Sequence, residues 1–243
     1  MKVVALGSGD AFCSQGRGHT CWLLEDEHGL AAVDFGATAL LALKRMSRDP
    51  QELRAVHFTH LHGDHIAGWP FLLVDAVYRA KRSAPLLASG PPGARERLHA
   101  LWAACYADAA AKPLPFPLEV LELSPGDAAQ LAGREVRVFR AEHQKPPHVA
   151  LSLRIGTVAF TGDTSVIADG LCAGAELLCA ECTDLSGVPD RHLSWERLRA
   201  ELPRLGVKRV LLGHLGSEAR SAGARIESEA KALGLDVTVC DDP

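Results

Sequence analysis

Residues 58–68 read FTHLHGDHIAG, from Phe58 to Gly68, and place His60, His62, Asp64 and His65 within six positions. The run before them, RAVH, is short and apolar, the signature of a buried strand, so the cluster begins where a strand gives out. On extended backbone, residues two apart share a side, so His60 and His62 can point the same way. Asp64 and His65 then lie on the turn into a following helix. Imidazole beside carboxylate suits zinc, and also manganese or iron. One histidine at a strand end is usually a satisfied polar residue. Four ionisable groups in one loop can instead serve two adjacent ions, each completed by ligands from elsewhere in the chain.

Three distant residues are candidates for that completion. His143 in RAEHQ, Asp163 in AFTGDT and His214 in VLLGH each end a strand-like run. Sites in α/β sheets collect where strands give way to loops. Taken singly, each reads as structural; taken with the cluster, they form a coherent set.

The rest of the chain sets the frame. KVVALGSG, HTCWLLED, GLAAVDFG, RAVHFTH, PLLASG and LEVLEL read as strands, with helices over 38–46, GWPFLLVDAVYRAKR and ARERLHALWAACYA. REVRVFRAEH, ALSLRIG, TVAFTGD, ELLCAEC, KRVLLGH and DVTVC read as a second set of strands. Helices follow over Trp195–Leu205 and SEARSAGARIESEAKALG. Two such halves predict two sheets packed together with helices outside. The 243 residues are 47% hydrophobic and 23% charged, with no linker or low-complexity run, so a single domain over 1–243 is expected. A net charge of −4 argues against nucleic acid as the main partner. Met1-Lys2 leads directly into VVALG, no apolar run is long enough for a membrane span, and the seven cysteines are scattered. These features predict a soluble cytoplasmic protein with reduced thiols and no membrane partner.

THLHGDHIAG resembles the HxHxDH motif of the metallo-β-lactamase superfamily, and AEH, TGDT and LLGH follow in the order of its later metal motifs. The resemblance implies a four-layer αββα sandwich with two divalent metal ions, zinc first among the candidates, at one edge of the sheets. It implies that His60, His62 and His143 hold one ion, that Asp64, His65 and His214 hold the other, and that Asp163 bridges them. Redox relatives usually carry glutamate where this chain has His62, which ranks redox chemistry low. LGSGDAFCSQGRGHTCWLL, DFG, TGDT, ECT and DRHLSWERL resemble the ribonuclease Z-like branch of tRNA-processing enzymes, other phosphodiesterases and arylsulfatase-like hydrolases. Those tRNA enzymes carry a protruding arm between the later motifs. Here nineteen residues separate His143 from Asp163, and predicted strands use most of them. A small-molecule or short ester substrate fits better than tRNA. The resemblance also suggests a homodimer, though no feature of the sequence shows one.

The expected reaction is phosphodiester hydrolysis, because two neighbouring cations acidify a shared water toward neutral pH and offset charge on the substrate oxygens. Asp64 counts among the catalytic groups as well as the ligands. His192 is the candidate general acid, since imidazole titrates near neutral pH, and Glu181 is its candidate orienting partner. Equally, His192 reads as a polar residue just ahead of a helix capped by Ser194. A lactonase, thioesterase or arylsulfatase on the same centre is the enzyme alternative, and a metal-bound binding module without turnover is the alternative outside catalysis. The remaining signals carry less. GSGDAF lacks the third glycine of a dinucleotide loop and is expected to be a tight hairpin turn. Cys179 and Cys182 in CAEC are expected to be buried structural thiols. Asp34 in VDFG is expected to buttress the metal loop, and His148 to line the pocket. His19, His28, His57 and His99 have no evident partners.

Overall fold

The computed structural model describes residues 1–187 and 191–243; Asp190, which opens the DRHLSWERL stretch, lies outside them. The first half runs β1 (Lys2–Gly7), β2 (Cys21–Asp26), β3 (Gly29–Val33), α1 (Ala39–Arg45), β4 (Leu53–His57), α2 (Gly63–Ile66), α3 (Trp69–Val74), β5 (Leu86–Gly90), α4 (Ala94–Cys105), α5 (Ala107–Ala110) and β6 (Leu118–Glu122). The second runs β7 (Ala128–Leu131), β8 (Arg134–Ala141), β9 (Ala150–Ile155), β10 (Val158–Phe160), β11 (Leu177–Glu181), α6 (Trp195–Glu201), β12 (Arg209–Gly213), α7 (Ser217–Ser221), α8 (Gly223–Ala232) and β13 (Asp236–Val239).

Each half forms one sheet, ordered β1-β2-β3-β4-β5-β6 and β13-β12-β11-β10-β9-β8-β7. Within each, hairpin-linked strands pair antiparallel, whereas β3 to β6 and β10 to β13 pair parallel. Parallel neighbours need a crossover, and the helices supply most of these, so they cover the outer faces. Leu43, Trp69, Leu72 and Leu98 bury the outer face of the first sheet; Trp195, Leu198, Leu202 and Ile226 bury that of the second. Between the sheets lie Trp22, Leu24 and Val33 from one side and Val138, Leu153 and Phe160 from the other. Fully burying one such side chain is worth roughly 1.5–3 kcal/mol, so this middle layer is the main bond between the halves. At one end of the sandwich a buried ion pair reinforces it: Arg134 on β8 reaches across to Asp26 on β2, with Nη2–Oδ1 at 2.5 Å and Nε–Oδ2 at 3.0 Å.

The expected αββα sandwich is therefore present, and three local expectations are corrected. GSGDAF does not form a tight turn: β1 and β2 are joined by the loop 8–20, and Asp10 organises it by accepting from the Phe12 and Ser14 amides. SEARSAGARIESEAKALG is two helices, broken at Ala222, rather than one. The helix after the metal motif ends in a wider turn over Asp75–Arg79. That turn places Asp75 against Lys44 in an ion pair. No helix among the described residues is long and apolar enough to cross a membrane.

Candidate metal centre

β4, β8, β10 and β12 end at the same edge of the sandwich, and their loops deliver the cluster. Two glycines let this happen. A Cβ on Gly213 would stand 2.7 Å from the Trp22 ring, so only glycine lets β12 end against the inter-sheet core just before His214. Gly162, before Asp163, has φ +58° and lies against the Leu151 carbonyl and Thr59. The two halves are joined here by the Leu151 N–H, which donates to the Thr59 carbonyl at 2.8 Å.

The seven residues meet as two adjoining groups. His60, His62 and His143 offer nitrogens within reach of one ion; Asp64, His65, Asp163 and His214 offer a second set. His62 Nδ1 lies 3.0 Å from His60 Nε2 and 3.2 Å from His143 Nε2. Asp163 Oδ2 sits centrally, 3.7 and 3.8 Å from His60 and His143 Nε2, and 3.3 and 3.2 Å from His65 and His214 Nε2. Asp64 Oδ2 is 3.2 Å from His65 Nε2 and 3.5 Å from His214 Nε2. Rather than an open turn, Asp64 and His65 occupy the short helix α2.

These residues suit metal ions. The Nε2 atoms of His65 and His214 are buried without a hydrogen-bond partner, although both lie beside Asp163. Buried polar atoms left unpaired call for an explanation, and a shared cation supplies one. The outer ring nitrogens, by contrast, are all held. His60 Nδ1 meets the Thr59 hydroxyl at 3.1 Å, His65 Nδ1 the Asp34 carboxylate at 2.8 Å and His143 Nδ1 the Arg191 carbonyl at 2.9 Å. His214 Nδ1 meets the Thr183 hydroxyl at 2.9 Å, and His62 Nε2 the Gln144 amide at 2.9 Å. Such partners fix ring orientation and tautomer in metal sites. Burial lowers the pKa of His60, His62 and His143, leaving neutral rings with free lone pairs. Burial opposes charge on His65 and His214 too, but Asp163 outweighs it, aided by Asp34 at His65 and by Asp64 at His214, which is pushed up to about 9. Asp163 is held well below the usual carboxylate range despite burial, by His214 and His65.

His192 stands beside this group. Its Nδ1 is 2.8 Å from Glu181 Oε2, and its ring stacks on His214 with centroids 5.2 Å apart. Burial pulls its pKa down, but the Glu181 hydrogen bond and charge raise it above the ordinary value. Glu181, at the end of β11, also accepts from the Thr164 amide and the Thr183 hydroxyl. Ser194 caps α6, its hydroxyl accepting from the Arg197 amide. Asp34 buttresses the loop through Thr59 and His65. His148 lines a cavity of about 500 Å³ that also touches His62 and Gln144. Cys179 and Cys182 are buried among core residues. His57 does have a partner, the Ser89 hydroxyl at 2.8 Å, and His19 meets the Cys13 thiol at 3.3 Å.

Sequence reasoning assigned no role to Thr59, Thr183 or Gln144. Thr183 stands within the ECT motif, so a signal existed, but its hydroxyl acquires meaning only once β12 brings His214 alongside.

The sandwich and its edge cluster make this chain a member of the metallo-β-lactamase superfamily, in the ribonuclease Z-like branch. Over its whole length it is similar to ribonuclease Z of Methanothermobacter thermautotrophicus, at 27% identity covering 100% of this chain and 95% of that one. Human tRNase Z, short form, superposes with a TM-score of 0.75 at 25% identity, covering 100% of this chain and 97% of its own. The metallo-β-lactamase fold protein YhfI of Bacillus subtilis superposes with a TM-score of 0.79 at 19% identity, over 99% and 95% of the two chains. Against the ribonucleases BN of Salmonella, the match spans about half of those proteins, 46% of their length. Within the superfamily, the chain belongs to the anti-Pycsar protein Apyc1 family, whose match runs over residues 1–230. Donor set and relatives together fit a metal-dependent hydrolase.

Proposed function

We propose that the protein is a dinuclear metal-dependent phosphodiesterase acting on a small phosphodiester. The observation that carries this reading is the position of Asp163 Oδ2, within 4 Å of ring nitrogens from both donor groups. His60, His62 and His143 would hold one divalent ion and Asp64, His65 and His214 the other, with Asp163 shared; the nitrogen-rich donor set favours zinc. Such a pair of ions supplies an acidified water and neutralises charge on phosphoryl oxygens. The chain's own residues do the rest. Asp34, Thr59, Thr183, Arg191 and Gln144 hold the imidazoles in register. Glu181 fixes the Nδ1 side of His192, leaving Nε2 to carry a proton toward the leaving oxygen. The half-buried His192 ring combines access with a polarising partner, as a general acid requires.

Full-length similarity to a ribonuclease Z supports phosphodiester chemistry over carboxylic esters. The span between His143 and Asp163 supports a small substrate, because β9 and β10 occupy it where a tRNA-binding arm would be needed. The complete donor set speaks against a binding module without turnover. The test is a panel: a small phosphodiester, a carboxylic ester and a sulfate ester sharing one aryloxide leaving group, beside a lactone and a thioester. The phosphodiester should have the highest kcat/KM. A faster lactone or thioester would move the protein to the carboxylic branch, and rapid maturation of a precursor tRNA would overturn the small-substrate reading.

A further inference from the structure

The C-terminal segment 240–243 lies beyond the residues matched by the family, yet it is tied to the metal-bearing edge. Asp242 Oδ1 accepts from the Ser8 amide at 2.8 Å and the Ser8 hydroxyl at 2.7 Å, while Oδ2 accepts from the Gly18 amide at 2.5 Å. One carboxylate therefore pins both ends of the loop 8–20. Arg220 braces the same point, donating to the Ser8 hydroxyl at 2.8 Å and the Cys240 carbonyl at 3.2 Å. Ser8 is fully buried, and its carbonyl accepts from the Leu215 amide at 2.9 Å. Leu215 is the residue after His214, and His214 has φ +49°, a left-handed conformation that a non-glycine residue keeps only when its surroundings impose it. Thr183 holds the His214 ring and carbonyl and accepts from the Gly216 amide, while the Leu215 amide between them is held from Ser8.

We infer that Asp242 is a positioning residue for the metal ligand His214, acting through Ser8 and Leu215 without touching the centre. This rests on the metal reading of the site. The test measures the two stepwise ion affinities of the full chain by competition with a chelator, using zinc as the probe. His214→Ala identifies which step belongs to its group. Asp242→Ala should weaken that step about tenfold, within the range seen for outer partners of metal ligands, and leave the step of His60, His62 and His143 within about twofold. Hydrogen exchange of the Leu215 amide should rise in parallel. Asp242→Asn retains an acceptor for Ser8 and should stay within about threefold of wild type. Equal weakening of both steps, or two unchanged affinities in Asp242→Ala, would overturn the inference. Should the alanine variant not fold, Ser8→Ala removes one donor to Asp242 and the Arg220 contact. It must then give a smaller drop at the same step, and an unchanged affinity there counts equally against the idea. Wild-type protein that takes up no zinc would defeat the metal reading itself, whereas two normal steps in Asp242→Ala defeat only the role of the tail.

Discussion

Asp34 is the point at which the metal loop is most exposed to a single substitution. It is buried at φ +60°, between the end of β3 and the cluster. Its carboxylate accepts from the Thr59 amide at 2.8 Å, the Thr59 hydroxyl at 2.8 Å and His65 Nδ1 at 2.8 Å. In Asp34→Ala the Thr59 amide and the His65 ring each lose a buried partner, at about 1–3 kcal/mol apiece. Alanine at that positive φ adds about 1–2 kcal/mol. The expected loss is about 3–8 kcal/mol, measured by urea unfolding in the presence of a chelator so that bound ions do not contribute. Asp34→Asn keeps an acceptor for Thr59 and tolerates the backbone conformation, but it replaces the carboxylate beside His65. It should lose only about 1–3 kcal/mol, yet bind the ion at His65 about 10–100-fold more weakly. A metal-stripped Asp34→Ala variant within about 1 kcal/mol of wild type would refute this account of the network.

Three further outcomes are expected. Elemental analysis should find about two ions per chain, and Asp163→Ala should reduce metal content and turnover more than any other single ligand change, because both groups converge on Asp163; full activity in that variant or in metal-stripped protein would sink the hydrolase mechanism. His192→Ala should slow an alkyl or nucleoside phosphodiester by about 10²–10⁴-fold and a nitrophenyl diester far less, with metal content unchanged; equal slowing of both would assign His192 to substrate binding instead. Asp26→Asn should cost about 3 kcal/mol at pH 7, since it leaves Arg134 buried beside a neutral group. Burial opposes the charge on Asp26 but Arg134 outweighs it, so the folded pKa lies below 3.8. The pair's contribution is thus complete above about pH 4 and lost as pH falls through the folded value, so wild type and variant should converge in acid unfolding curves.

The candidate metal centre was legible to the extent that its signals were local. His60, His62, Asp64 and His65 announce themselves by density, and His143, Asp163 and His214 by standing where apolar runs end. Among the outer partners Asp34 was legible, but Thr59 and Gln144 are ordinary polar residues until the fold sets them against a ring nitrogen, and Thr183, though inside the ECT motif, takes its role only beside His214. β7 was missed for a related reason. AAQL has little strand preference of its own and is extended because it pairs with β8. The break at Ala222 was missed because no proline marks it, and the long loop 8–20 because its order comes from Asp10 and from Asp242, a residue more than two hundred positions away.

Both sheets are laid down in strict sequence order, one strand after the next. During synthesis the first half can therefore complete its sheet while the second is still unmade. At that stage His60, His62, Asp64 and His65 stand at an open edge as four of the seven candidate donors. His143 and Asp163 follow with the middle strands, and His214 arrives only with β12, near the end of the chain. A cation captured early would be held by a few imidazoles and readily lost. The emerging chain thus leaves the candidate site unassembled until the body around it is nearly finished.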